Sequence, residues 1–306
     1  MKVFVTGGTG AIGRPAVMAL VAAGHGVTAL ARSSRKAEEL TAMGALPVAV
    51  SIFDRAGLAG AMAGHAAVVN LATAIPPMTR FMRRSAWAEN DRIRSEGSAA
   101  IVDAALDADV GRVVQESVCM LYRDGGAAWV DEDTPTDAYP MARGNLAAEA
   151  SAQRFSEAGG TGVVLRFGWF HGPGAAHSEQ LLGLARRHIC AQLGPAGGYV
   201  SSIHVADGGT AVAAALQAPA GIYNVVDDEP LTKRAFADAL GEAAGARPWL
   251  RLPGRAGLLL GDRSTSLTRS LRVSNAKLRR ETGWAPRYRS AREGLIATAG
   301  ALSDRR

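Results

Sequence analysis

Apolar and polar positions follow two rhythms along the first half of the chain. Runs that are almost wholly apolar occur at residues 3–6, 27–31, 46–50, 67–71 and 112–117. Between them, residues 14–23, 34–43, 56–62 and 87–106 read as helices, with apolar side chains recurring at three- and four-residue intervals. A strand that is apolar at nearly every position is buried on both faces, as in a parallel sheet covered by helices on each side. The alternation continues with a helical stretch at 145–158 and strands at 162–167 and 221–226. It predicts an α/β fold built on a doubly wound parallel sheet.

Past Phe167 the rhythm breaks. Gly, Pro and His gather in 168–177, and a second loop lies at 194–198. Helical stretches follow at 178–190, 231–245 and 274–282. These segments predict a smaller C-terminal lobe, about 172–199 and 228–306. Residues 1–171, with about 200–227, form the larger domain. Ligands of open α/β sheets sit at the carboxyl ends of the strands, so the lobe is expected to close over that edge and shape a substrate pocket.

Composition narrows the partners. The chain has 306 residues, 48% of them apolar, enough for an extended core. No apolar run approaches the roughly 20 residues of a membrane helix, so no membrane partner is expected. Cys119 and Cys190 have no framework or metal-ligand spacing. No histidine pair has the H-E-x-x-H spacing, so no metal is expected. Met1 leads straight into the first strand with no signal-type segment, and a reducing, cytoplasmic location is the expectation. The net charge of +6 is uneven: residues 1–150 carry 14 Lys/Arg against 16 Asp/Glu, and residues 151–306 carry 20 against 12. Aromatics are not interleaved with the basic residues, and no nucleic-acid module is evident. Solvated helix faces account for the excess.

The sharpest chemical signal is at the N-terminus. The first strand runs into Gly7-Gly8-Thr9-Gly10-Ala11-Ile12-Gly13, with glycines spaced G-x-x-G-x-x-G. Glycines allow a tight turn and a close backbone approach to a pyrophosphate, and the helix that follows offers free N–H groups and a positive dipole end. The second strand ends not in an acidic residue but in Arg32, followed by Ser33, Arg35 and Lys36. A cation there accommodates a 2′-phosphate, whereas an acid would meet a ribose hydroxyl. The expected cofactor is therefore NADP(H) in preference to NAD(H), on a Rossmann-type sheet.

The chain resembles the extended short-chain dehydrogenase/reductases, a group that includes sugar-nucleotide epimerases and dehydratases. The resemblance runs over nearly its whole length. It rests on residues 6–13, Ser51-Ile52-Phe53-Asp54, Asn70-Leu71-Ala72-Thr73, Leu165-Arg166-Phe167 with His171-Gly172-Pro173, residues 202–207, Tyr223-Asn224-Val225 and Thr282-Gly283-Trp284-Ala285-Pro286. It implies that Gly7, Gly8, Thr9, Gly10, Ala11, Ile12 and Gly13 hold the pyrophosphate, with Arg32, Ser33 and Arg35 at the 2′-phosphate. It also implies Ser51 and Ile52 beside the adenine and Ala72 and Thr73 under the ribose. Asn145 and the segment Phe167, Gly168 and Phe170 would meet the nicotinamide side. Members are monomers or homodimers.

The catalytic positions depart from the family. Its tyrosine lies eight residues before a glutamate, and counting back from Glu149 lands on Met141, with Asn145 at the lysine position. Neither can do the work of a tyrosine–lysine pair. A second register keeps a phenol, since Tyr139 and Arg143 are four apart. Ser117 ends the fifth strand, with Val118 where the family serine falls. The candidate catalytic groups are therefore Ser117, Tyr139 and Asn145. Val118, Met141, Trp169, His171 and Tyr199, with Trp129 as a further flat wall, are the candidate pocket residues.

This departure is similar to that of atypical ketoreductases of aromatic polyketide pathways, such as those acting on simocyclinone-type angucyclinones. The resemblance implies an NADPH-dependent ketoreductase acting on a polycyclic aromatic ketone, with substrate-assisted proton delivery from an adjacent phenol. An NDP-sugar epimerase or dehydratase and a non-enzymatic NADP(H) sensor are the alternatives.

Overall fold

Seven strands carry the architecture: β1 (Lys2–Thr6), β2 (Gly26–Leu30), β3 (Leu46–Val48), β4 (Ala67–Asn70), β5 (Arg112–Val118), β6 (Thr161–Phe167) and β7 (Gly221–Val225). A computed structural model describes residues 1–190, 194–246, 250–251, 259 and 261–303. The strands pair wholly in parallel in the order 7-6-5-4-1-2-3. This is the doubly wound arrangement that the sequence predicts. Its reversal between β1 and β4 opens a crevice at the carboxyl edge.

Helices cover both faces. They are α1 (Gly13–Ala22), α2 (Ser34–Ala42), α3 (Arg55–Met62), α4 (residues 88–107), α5 (Arg143–Glu157), α6 (Ala176–Arg186), α7 (Val205–Ala215), α8 (Lys233–Ala243), α9 (Ala276–Thr282) and α10 (Ala291–Ser303). The middle of α4, Ile93–Gly97, is π-wound. Val3, Phe4, Val5, Val68, Val113, Val163 and Leu165 are fully buried, which explains the unbroken apolar runs. Two core clusters result, one on each face of the sheet.

The pattern missed α7 and α10. α7 reads VADGGTAVAAA, mostly small and apolar without a clear stripe and broken by two glycines. Those glycines serve packing: a Cβ on Gly209 would stand 2.6 Å from the Pro15 backbone carbon, and one on Gly208 would stand 2.4 Å from Ile12. Small residues let α7 lie directly against α1. The helix expected at 178–190 ends at Arg186, and Ile189–Cys190 instead pairs with Leu250–Arg251. The C-terminal segments have their own small core, in which Leu182 of α6, Leu240 of α8 and Leu295 of α10 pack together.

Candidate active site

The loop after β1 is shaped by backbone contact. Gly7 has φ +70°, and a Cβ there would lie 2.4 Å from the Leu71 carbonyl oxygen. A Cβ on Gly13 would lie 2.0 Å from the Gly7 oxygen. Gly10 N–H donates to the Gly7 oxygen at 2.9 Å. The helix α1 that follows has no side-chain cap; Arg14 N–H already donates to the Gly10 oxygen at 3.2 Å and Pro15 has none, which leaves the N–H groups of Ala11, Ile12 and Gly13 for an anion. Gly8 packs inward against Leu40 and Val17.

On one side of this loop lies a cavity of about 360 Å³ lined by Gly7, Thr9, Gly10, Ser51, Ile52, Ala72 and Thr73, with Arg32 and Lys36 at one end. Burial first, then the neighbouring Arg32 and Arg35, lowers the Lys36 pKa from its ordinary value. Cations crowded in this way favour an anion between them. Ser33 instead caps α2, accepting from Lys36 N–H at 3.4 Å. Arg35 pairs with Glu39 at 2.9 Å, its side chain 77% exposed.

On the other side lies a second cavity of about 420 Å³ that shares Gly10, Leu71 and Thr73 with the first. Its walls are mostly apolar and aromatic, with Met78, Phe81, Trp87, Val118, Trp169 and Phe170 among them. Met141, in the turn Pro140–Ala142, and Asn145, in the first turn of α5, both face it. So do Tyr139, His177, and the buried pair Arg94–Glu116, whose closest N···O distance is 2.6 Å. Burial lifts the Glu116 carboxyl above the usual carboxylate range, against the opposing pull of Arg94. A side chamber of about 120 Å³ adjoins through Met78, Met120, Trp169 and Ser266.

A glycine turn that admits no Cβ at Gly7 or Gly13, a cavity lined by Arg32 and Lys36, and an adjoining apolar chamber fit an extended dinucleotide. Residues 7–219 match the family described as NAD(P)H-binding. The chain belongs to this NAD(P)H-binding family. It is an oxidoreductase of the extended short-chain dehydrogenase/reductase type. A 3-diazoavenalumate denitrifying reductase from a Streptomyces species is 35% identical over 307 residues, covering 96% of this chain and 99% of the relative. A 4-hydroxy-2-methyl-3-oxo-4-farnesyl-3,4-dihydroquinoline-1-oxide ketoreductase of Stigmatella aurantiaca is 30% identical over 331 residues, covering 97% and 95%. Among solved structures, human epimerase family protein SDR39U1 with NADPH superposes with a TM-score of 0.82 at 25% identity, covering 98% and 99%.

Against this family's usual proton machinery, the structure brings Met141 and Asn145 together at the chamber. The second register is overturned: Arg143 points to solvent, and the cation over the Tyr139 ring is Arg269, 4.9 Å from its centroid. Ser117 is corrected as well. Successive strand residues face opposite ways, so Glu116 and Val118 look into the chamber. Ser117 looks away and donates to Glu149 at 2.6 Å, fully buried. Glu149 in turn holds Arg166 at 2.7 Å.

Other expected contacts also move. Phe167 lies in the core behind Phe170, with 5.2 Å between ring centroids. His171 is not a pocket residue but meets His204 edge to face, with 5.4 Å between ring centroids. Tyr199 lines the side chamber, not the main one. Trp129 is half exposed beneath Arg272. Lys36, Glu116, Arg94 and His177 are site residues that the sequence reading did not single out.

Proposed function

We propose that this protein is an NADPH-dependent ketoreductase that reduces a ketone of a polycyclic aromatic polyketide. The observation that carries the reading is the union of two cavities. One is cation-lined and shaped for the 2′-phosphate side of NADP(H). The other is flat-walled and apolar and receives the reacting ring. Bound NADPH supplies the hydride. The protein's part is to hold donor and acceptor carbons together and to exclude water, which accounts for much of the acceleration in such transfers.

Gly7 to Gly13 cradle the pyrophosphate, Arg32 and Lys36 meet the 2′-phosphate, and Gly168 to Phe170 border the nicotinamide. The C-terminal segments contribute His177, Gln180 and Ser266 to the chamber wall and act as the substrate lobe. A phenol beside the ketone, hydrogen-bonded to it, would polarise the carbonyl where the family tyrosine is replaced by Met141. The Stigmatella relative, whose named substrate is a 3-oxo dihydroquinoline, supports a ring-fused ketone.

An epimerase or dehydratase needs a tyrosine base to begin oxidation at a sugar carbon, and the apolar chamber suits a sugar poorly. A sensor needs no enclosed apolar pocket beside the nicotinamide. The deciding experiment mixes the protein with each stereoisomer of 4-deuterated NADPH and a panel of hydroxylated polycyclic aromatic ketones. Deuterium is expected on the carbinol carbon from one stereoisomer only. Tight NADPH binding with no transfer to any ketone would overturn the reading.

A further inference from the structure

Among the described residues, four side chains on the chamber wall carry a titratable proton: Arg94, Glu116, Tyr139 and His177. His177 Nε2 lies 2.6 Å from the Phe170 carbonyl oxygen. That nitrogen must be the protonated one, and its proton is committed to the backbone. Tyr139 donates to the Met120 carbonyl at 3.3 Å, and burial raises its pKa, making it a poorer acid. Arg94 does not release its proton. Glu116 remains.

The surroundings of Glu116 are short of donors. Arg94 bonds its Oε1 at 2.9 Å. The other oxygen, Oε2, is ion-paired to the same Arg94 nitrogen at 2.6 Å, while Asn145 Oδ1 and Asp91 Oδ1 are buried without a hydrogen-bond partner. Asp91 and Arg94 both pack on Gly144, next to Asn145: a Cβ there would lie 3.0 Å from Asp91 Oδ1 and 3.3 Å from Arg94 Cβ. One guanidinium nitrogen thus serves both oxygens of the buried Glu116, and the same arginine acts on the partly buried Asp91 only through its field. A carboxyl taken out of water with one guanidinium beside it holds its proton more tightly than one in solvent, the pull of Arg94 notwithstanding. The other charged pair near this strand, Glu149–Arg166, lies with Ser117 on the opposite face of β5 and is already closed.

We propose that Glu116 is the acid of the reaction, its carboxyl giving a proton to the ketone oxygen in place of the missing tyrosine. The inference rests on the ketoreductase reading. The carbonyl carbon gains a hydride from the reduced nicotinamide, and the carbonyl π pair moves to oxygen. That oxygen takes the Glu116 proton and becomes the alcohol. Glu116 is left as a carboxylate beside Arg94 and recovers its proton from solvent once the product leaves. Arg94 is a positioning residue that holds the carboxyl and steadies its ionised form.

The test begins without any ketone. Difference infrared spectra of the NADP⁺-loaded protein at neutral pH should show the C=O stretch of a protonated carboxyl, shifted by ¹³C-glutamate labelling and absent in Glu116→Gln. Absence of the band, or a band that survives in Glu116→Gln, overturns the proposal. With a reducible ketone, Glu116→Gln should lower kcat by about 100-fold or more, within the usual range for general acids. It should remove the alkaline fall of kcat and leave the NADPH Kd within about twofold. Glu116→Asp, which keeps a carboxyl, should restore part of kcat together with the alkaline fall. Wild-type kcat and pH profile in Glu116→Gln would overturn the proposal. A wild type that reduces no ketone would count against the ketoreductase reading, while the infrared result still decides whether Glu116 holds the proton.

Discussion

Arg32 and Lys36 stand four residues apart and line the same end of the dinucleotide cavity. Among the described residues neither makes a close ion pair: Glu39 is engaged by Arg14 and Arg35, and Lys36 meets it only through its longer-range field. Removing both should therefore change the choice of cofactor rather than stability. A charge-assisted hydrogen bond contributes about 1.5–3 kcal/mol. Arg32→Ala with Lys36→Ala should thus weaken NADPH by roughly 10- to 100-fold and leave NADH within about twofold, as fluorescence titration would read. Equal weakening of both cofactors would refute the assignment. Arg32 was legible because the residue after the second strand faces the ribose in any such fold. Lys36 was not, because the phase of α2 decides whether residue 35 or 36 turns inward, and Ser33 sets that phase by capping the helix. Glu116 was hidden for a related reason: in a strand buried on both faces, nothing in the local pattern says which alternate residues meet the ligand.

At the scale of elements, β5, β6 and α5 are joined by one buried polar triad. Ser117 donates to Glu149, and Arg166 grips the same carboxylate through Nε at 2.8 Å and Nη2 at 2.7 Å. The Glu149 spacing that placed Met141 and Asn145 at the chamber is thus a structural spacing. The glutamate fixes the depth of α5 against the sheet, and the residues one and two turns earlier follow. Glu149→Ala leaves Arg166 buried without a counter-charge. Breaking such a pair costs about 3–5 kcal/mol, so the urea midpoint should fall sharply. A loss below about 1 kcal/mol would mean that the triad is dispensable. The glycine loop and the strand order were readable because they rest on local chain geometry. α7 was not, because it is recognised only by the helix it touches, through Gly208 and Gly209.

Across the whole molecule, the C-terminal helix is joined to a separate two-stranded sheet through a set of ring contacts. Trp169–His171 pairs in parallel with Ser202–His204. His171 meets His204, whose ring lies 4.3 Å from that of Tyr288. A Cβ on Gly294 of α10 would lie 2.1 Å from the His171 ring, so α10 packs directly on this histidine. Neither His171 nitrogen has a hydrogen-bond partner. Burial, then His204 and His177, depresses its pKa to about 3, and burial takes His204 to about 4. The unfolded chain takes up these protons near pH 6.5, the folded chain only near 3 to 4. Between those limits the unfolded state holds more protons, so stability is full above pH 6.5 and falls as the solution is acidified. Each unit of pH below 6.5 should cost about 1.4 kcal/mol through His171 alone, or roughly 2 kcal/mol by pH 5. His171→Leu should lose some packing at pH 7 yet show a shallower decline between pH 7 and 5, because buried acids contribute equally to both proteins. Urea melts of the pair at several pH values would give the difference directly. Parallel declines would show that the proton is taken up elsewhere and that the His171 ring contacts are not what makes the docking of α10 sensitive to acid.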